Sequence, residues 1–241
     1  MVLHFVDDAA AAAGPGDIVV LTGSEAHHAA SVRRVRVGEA VTLTDGRGAW
    51  LVGAVVGADP KRVEIRVDAR EGRDAPGRRV LLAQALAKGD RDELAVQAAT
   101  ELGIDGIVPW QAARSVSRWQ GPKADKGRAR WQSIVREAAK QAHRAWIPEV
   151  EAPVSTAELA ARAEATCVVL DPWTDEALTS VDLPAGDLIL VVGPEGGIAP
   201  EEIERLAAAG AVCARLGESV LRTSTAGPAA LAVLNARLGR W

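Results

Sequence analysis

Through about residue 70, short apolar runs read as strands, Val2–Val6, Asp17–Leu21, Ala40–Thr44, Ala49–Val56 and Arg62–Val67, with apolar residues at every second position in Arg62–Val67. A period of two marks strands with one buried face. Gly14-Pro15-Gly16, Asp45-Gly46-Arg47-Gly48 and Asp59-Pro60 interrupt the runs with turn chemistry, and Ser24–Arg33 reads as one helix capped by Ser24. Short strands at this spacing predict a small β-barrel over residues 1–72. The polar, Gly- and Pro-containing run Arg70–Arg78 then predicts an interdomain linker.

From residue 78 to 241 the pattern changes to apolar blocks separated by helical periods, which predicts a second, α/β domain. Its strands are Arg79–Leu86, Gly106–Trp110, Ala165–Leu170, Asp187–Val192 and Ala211–Arg215. Helices are expected from Asp90 to Leu102, Lys123 to Arg144, after a Ser155 cap, Pro200 to Ala208, and from Thr223 or Ser224 to Leu238. The unbroken apolar runs Cys167–Leu170 and Leu188–Val192 fit parallel strands covered on both faces.

Charge changes this picture more than composition does. The formal net charge of −4 disfavours a polyanionic partner, yet Arg114, Arg118, Lys123, Lys126, Arg128, Arg130, Arg136, Lys140 and Arg144 cluster in one stretch, and the following stretch from Glu149 to Glu204 is strongly acidic. Such division can steer a polyanion to one face, although a solvated helix face gives the same pattern. With seven Trp, one Phe and no Tyr, aromatic stacking on nucleic-acid bases is confined to few positions. Cys167 and Cys213 stand apart, without Cys or His partners at ligand spacing, so neither a metal site nor a disulfide framework is expected. No basic leader and no apolar span of about 18 residues is seen, and a cytoplasmic protein without membrane association is expected.

Two strand-to-helix loops carry the candidate chemistry. In Gly193-Pro194-Glu195-Gly196-Gly197-Ile198, which follows a buried strand, the glycines allow close approach of backbone to a ligand. Glu201 and Glu202 open the next helix and would repel a phosphate, and the dinucleotide and Walker fingerprints are both absent. In Leu216–Ala226, Leu216 and Leu221 can join Ile198 in sandwiching an adenine-like ring, and Arg222 can contact phosphate or a developing oxyanion. The first loop could instead be a tight structural turn, and Arg222 a surface ion-pair residue.

Gly193-Pro194-Glu195-Gly196-Gly197 together with Leu216-Gly217-x-x-x-Leu221-Arg222-Thr223-x-Thr225-Ala226 resembles the small-subunit (16S) ribosomal RNA uracil-N3 methyltransferase family. Ala85–Asp90, Glu101-Leu102-Gly103, Pro109, Trp131, Glu137-Ala138-x-x-Gln141-x-x-Arg144, Ile147-Pro148-Glu149, and His28 with Val32-Arg33 and Gly38 extend the resemblance over the chain. It implies a PUA-like RNA-binding barrel followed by a SPOUT methyltransferase domain with a trefoil knot, acting as a homodimer on 16S rRNA or the small ribosomal subunit.

It further implies S-adenosylmethionine as cofactor, held by Leu170, Val192, Gly193, Pro194, Glu195, Gly196, Gly197, Ile198, Leu216, Gly217, Val220, Leu221, Arg222 and Thr223. RNA contacts are expected at Arg33, Arg34, Arg36, Arg114, Arg118, Gln141 and Arg144, with Arg222 the candidate catalytic residue and no proton acceptor assigned. Ser224 stands where that family commonly has Glu, so no carboxylate role is carried over. His143 replaces a usually small residue and reads as an exposed helix position. A transfer-RNA or ribose methyltransferase, an assembly factor with a degenerate pocket, and a dehydrogenase-like binder are the alternatives.

Overall fold

The computed structural model describes residues 2–162 and 165–241; Met1, Ala163 and Glu164, the last a member of the acidic stretch, lie outside the described residues. Two compact units are present, residues 1–75 with 139–147 and residues 76–138 with 148–241.

The first unit is a five-stranded sheet of β1 (Leu3–Val6), β2 (Ile18–Leu21), β3 (Ala40–Thr44), β4 (Ala49–Asp59) and β5 (Arg62–Gly72), in the order β1-β3-β4-β5-β2. Alternate residues of all five strands, among them Phe5, Leu21, Leu43, Leu51 and Ile65, meet in one core, which is how a small barrel fills its interior. Gly53 lies at a register shift between β4 and β5, and a Cβ there would stand 2.3 Å from the Arg66 carbonyl oxygen, so the bulge requires glycine.

Three local expectations change. The helix begins after Thr22, not Ser24, and α1 (Gly23–His27) passes into a π-turn over His28–Val32 in which Arg33 N–H donates to His28 O. Strand β5 runs to Gly72, paired with Ala49, so the linker begins later than Arg70; the strand's end is exposed on both faces and therefore shows no apolar alternation. The long helix stops at Gln141, short of Arg144, and Ala139–Ile147 belongs with the barrel rather than with the later domain.

That segment docks by backbone. Gly48 N–H donates to Ala145 O at 3.0 Å and Ile147 N–H to Gly46 O at 2.9 Å. Side chains of Ile147 and Trp146 occupy the space where a Cβ on Gly46 or Gly48 would sit, 2.7 and 2.6 Å away, so these turn glycines form a slot. His143, at φ 54°, is not an exposed helix position; it stacks on His4 at 5.2 Å.

The second unit is built on parallel strands β6 (Val80–Ala85), β7 (Gly106–Gln111), β8 (Glu149–Val150), β9 (Val154–Ser155), β10 (Ala165–Leu170), β11 (Asp187–Val192) and β12 (Val212–Ala214). Their order is β12-β10-β11-β6-β7-β8, with β9 also paired to β7. Helices α2 (Arg91–Glu101), α3 (Pro122–Gln141), α4 (Thr156–Ala160), α5 (Pro200–Ala208) and α6 (Thr223–Arg237) connect or follow them. Strands β6 and β11 are nearly devoid of exposed side chains, and each Leu or Ile sealed there contributes roughly 1.5–3 kcal/mol.

From β12 at the sheet edge the chain turns back. Arg215 bridges Ala177 in the β10–β11 connection, and α6 then packs on β11 and α2. Gly227 permits this closeness, because a Cβ there would lie 3.2 Å from Leu82 and 3.4 Å from Val192. The chain thus leaves β12 at the sheet edge and returns to the middle of the sheet, where α6 covers β11.

Candidate cofactor and RNA site

Strands β10, β11 and β12 end on one side of the sheet, where open parallel sheets bind ligands. A cleft of about 610 Å³ lies there. It is lined by Leu170, Val192, Gly193, Pro194, Glu195, Gly196, Gly197, Ile198, Leu216, Gly217, Val220, Leu221, Arg222 and Thr223, so both loops read from the sequence converge on it.

The first loop is held tightly. Gly197, at φ 73°, donates its N–H to Pro194 O at 2.9 Å, and a Cβ on Gly193 would stand 2.7 Å from Ile198 Cγ1 and 3.2 Å from Ile198 N. Glu195 Oε1 accepts from Lys88 N–H at 3.1 Å and from Arg91 Nη1 at 2.8 Å, tying the loop to the β6–α2 connection. Partial burial pushes the Glu195 carboxyl up, but its own and the Lys88 backbone N–H, together with the Arg91 guanidinium, outweigh burial and hold it below the ordinary glutamate range. Glu202 is buried and accepts from Ala199 N–H, Ala113 N–H and the Thr156 hydroxyl, fixing the start of α5 and the loop after β7 together.

The second loop is joined to the first through the start of α6. The Thr223 hydroxyl donates to Gly193 O at 2.8 Å and accepts from Gln84 Nε2 at 2.9 Å, so a residue of β6, the last helix and the glycine loop form one hydrogen-bonded chain. Gln84 is fully buried, and its Oε1 has no partner among the described residues. Arg222, at the N-cap of α6 without a side-chain capping bond, is exposed on the cleft wall.

Of the residues expected to contact RNA, Arg114 lines the cleft and donates to Gly196 O at 3.0 Å. Arg118 does not reach it and donates to Ala113 O. Arg33, Arg34, Arg36, Gln141 and Arg144 belong to the first unit, the three arginines exposed around buried Val35. Much of the basic stretch is consumed by internal partners: Arg128 donates to Val150 O, Arg130 pairs with Glu93, and Lys140 pairs with Glu25 in a buried ion pair at 3.0 Å. Asp171, Trp173, Arg215 and Ser219 also line the cleft and were missed, since no periodicity or glycine pattern marks them. Among the described residues no His, Cys, Asp and Glu group is arranged to hold a metal ion, and no helix is long and apolar enough to cross a membrane.

The family model described as an RNA methyltransferase domain matches residues 74–235, and an RNA methyltransferase PUA domain matches residues 21–68. The chain belongs to this RNA methyltransferase family. Relatives named ribosomal RNA small subunit methyltransferase E include one from Mycobacterium bovis, 43% identical over 94% of this chain and 89% of its own length, and one from Bacillus subtilis, 35% identical over 89% and 88%. The crystal structure of a protein of that name from Neisseria gonorrhoeae bound to S-adenosyl methionine superposes with a TM-score of 0.88 at 28% identity, covering 98% of each chain. A methyltransferase of Legionella pneumophila in complex with the bound cofactor SAM matches equally, with a TM-score of 0.88, 28% identity and 98% of each chain. This RNA methyltransferase family thus supplies the fold of the described cleft and of both units.

Proposed function

We infer that this chain uses S-adenosylmethionine to methylate N3 of one uridine in 16S rRNA, working in the cytoplasm as a homodimer on the small ribosomal subunit. The observation that carries the reading is the convergence of the two glycine-containing loops on one cleft at the ends of β10, β11 and β12. Its chemistry fits the cofactor: Leu170, Val192, Ile198, Leu216 and Leu221 supply apolar walls, tight glycines supply backbone groups, and Glu201 and Glu202 in the first turn of α5 disfavour phosphate.

When bound, S-adenosylmethionine would supply a sulfonium methyl for N3, leaving as the neutral thioether, with the N3 proton passing to water. Arg222 stands free to stabilise negative charge on the uracil carbonyl oxygens flanking N3, where a fixed cation acts most strongly on charge that develops during reaction. Gly196 O and the Glu195 carboxylate already engage Arg114 and Arg91, so these two guanidiniums brace the loop, while Arg222 and Arg215 face RNA. Exposed Arg33, Arg34 and Arg36 of the barrel add phosphate contacts.

The test is transfer of labelled methyl from S-adenosylmethionine to small subunits lacking the modification, followed by nucleoside identification. Label in 3-methyluridine supports the reading. Label in another nucleoside keeps the methyltransferase and rejects the target, and no transfer despite RNA binding favours an assembly factor.

A further inference from the structure

Trp173 is 83% exposed, yet it lines the cleft. Its position is built. Asp171 N–H donates to Ala214 O at 3.1 Å, anchoring the loop after β10 to β12, and Asp171 Oδ1 accepts the Trp173 N–H at 3.0 Å, with Pro172 restricting the backbone between them.

Aromatic rings are scarce in this chain, and nearly all are spent elsewhere. Tyr is absent, and the single Phe, Phe5, is buried. Trp110 and Trp131 are core residues; Trp119 packs edge-on against Trp131, Trp50 stacks on His4, and Trp146 donates its indole N–H to Arg73 O. His4, His27, His28 and His143 all belong to the other unit. Exposed indoles among the described residues are Trp173 and Trp241; His27, in the other unit, is exposed as well, and of these only Trp173 lines the cleft.

A base methylated at N3 presents an atom of its Watson–Crick edge, so it must be unpaired and, to enter a cleft, unstacked. The protein then has to replace the lost stack, which aromatic side chains do. We propose that Trp173 is the stacking platform for the target uracil, a specificity-determining residue at the cleft mouth. The inference rests on the reading of this chain as a uracil methyltransferase. Leu170, Val192, Ile198 and Leu216 form the better buried wall left to the cofactor, whereas an indole so exposed offers a free face. Arg215 and Arg222 line the same cleft and can engage the flanking backbone, and exposed Val220 gives the rim further apolar surface.

Trp173→Ala, Trp173→Phe and, as a control outside the cleft, Trp241→Ala test this in the full chain. Steady-state methyl transfer to unmodified small subunits, S-adenosylmethionine affinity by calorimetry, and oligomeric state by sedimentation are measured for each. Trp173→Ala should lower kcat/KM for the RNA roughly 5- to 150-fold, the factor carried by one base stack, mainly through KM. Cofactor affinity should stay within about twofold, Trp173→Phe should recover most of the loss, and Trp241→Ala should match wild type. Unchanged kcat/KM in Trp173→Ala, or an equal loss in Trp173→Phe, overturns the proposal. A matching fall in cofactor affinity assigns the indole to the cofactor instead, and dissociation to monomers assigns it to a subunit contact; both also overturn it. Failure of the wild type to methylate uridine would reject the underlying reading rather than the role of Trp173 within it.

Discussion

Single atoms decide whether the cleft holds its shape. Gly193 has no room for a methyl group, because its Cβ would press on Ile198 at 2.7 Å and on the backbone nitrogen at 3.2 Å, and overpacking of this kind costs about 1–3 kcal/mol. Gly193→Ala should therefore weaken S-adenosylmethionine binding at least tenfold by calorimetry while the barrel stays folded. Thr223→Val keeps the shape of the side chain and removes its hydroxyl, leaving Gly193 O and Gln84 Nε2 each short of a partner. A loss of about 1–3 kcal/mol in urea unfolding is expected, and equal stability would show that this chain of bonds contributes nothing. Arg222→Ala should cut single-turnover methylation of bound RNA by about 100-fold or more with little change in cofactor affinity, as removal of one oxyanion donor does. Gly193 and Arg222 could be singled out from the sequence because glycine-rich and basic loop positions carry a pattern. Gln84 could not: a lone Gln in an apolar strand reads as an irregularity until Thr223, far along the chain, is seen beside it.

At the level of elements, strands with an apolar run and helices with a clear cap were legible. Asp187–Val192 and the Ser155 capping box are examples, since their signals lie within a few residues. The extended segment after α3 was not, because its partners in the barrel are about a hundred positions away and its own sequence has no period. Its docking creates a buried histidine. His4 bonds the Thr42 hydroxyl through Nδ1 at 2.8 Å and lies between Trp50 and His143, and burial first, then neighbouring His143 and Lys140, lower its pKa to about 4 against the raising effect of the Arg144 backbone. The unfolded chain, with its ordinary value near 6.5, binds more protons between these limits. Stability should thus be complete above about pH 6.5 and fall as pH drops toward 4, by about 2 kcal/mol between pH 7.5 and 5 from this residue. His4→Gln, followed by denaturant unfolding at both pH values, should remove most of that difference. If the variant keeps the same pH dependence, other groups control it.

For the molecule as a whole, a change of pattern near residue 78 suggests two parts, whereas neither the docking of Ala139–Ile147 with the first unit nor the return of α6 to the middle of the sheet carries a local signal. Periodicity reports which face of an element is buried but not the order in which strands are laid side by side. Charge shows the same limit: the basic stretch looked like an RNA face, yet Lys140 is buried against Glu25, Arg128 donates to Val150 O, and Arg130 pairs with Glu93 at the surface. With a net charge of −4, RNA affinity has to come from a few cations left exposed, and Arg33, Arg34 and Arg36 are such a group. Arg34 even adopts φ 54°, a left-handed conformation that a non-glycine residue holds only at some cost, so the loop that displays these side chains is specified by its surroundings. Each phosphate contact contributes a slope of about 0.7 to 0.9 to the fall of log affinity with log salt. Replacing the three arginines with alanine should therefore flatten the salt dependence of binding to small-subunit RNA by about 2 to 3. It should raise KM and leave kcat at saturating substrate near wild type, because contacts that position RNA act equally on ground and transition states. An unchanged slope would mean that these arginines touch no phosphate, and a fall in kcat at saturation would place them closer to the chemistry than the barrel's role allows.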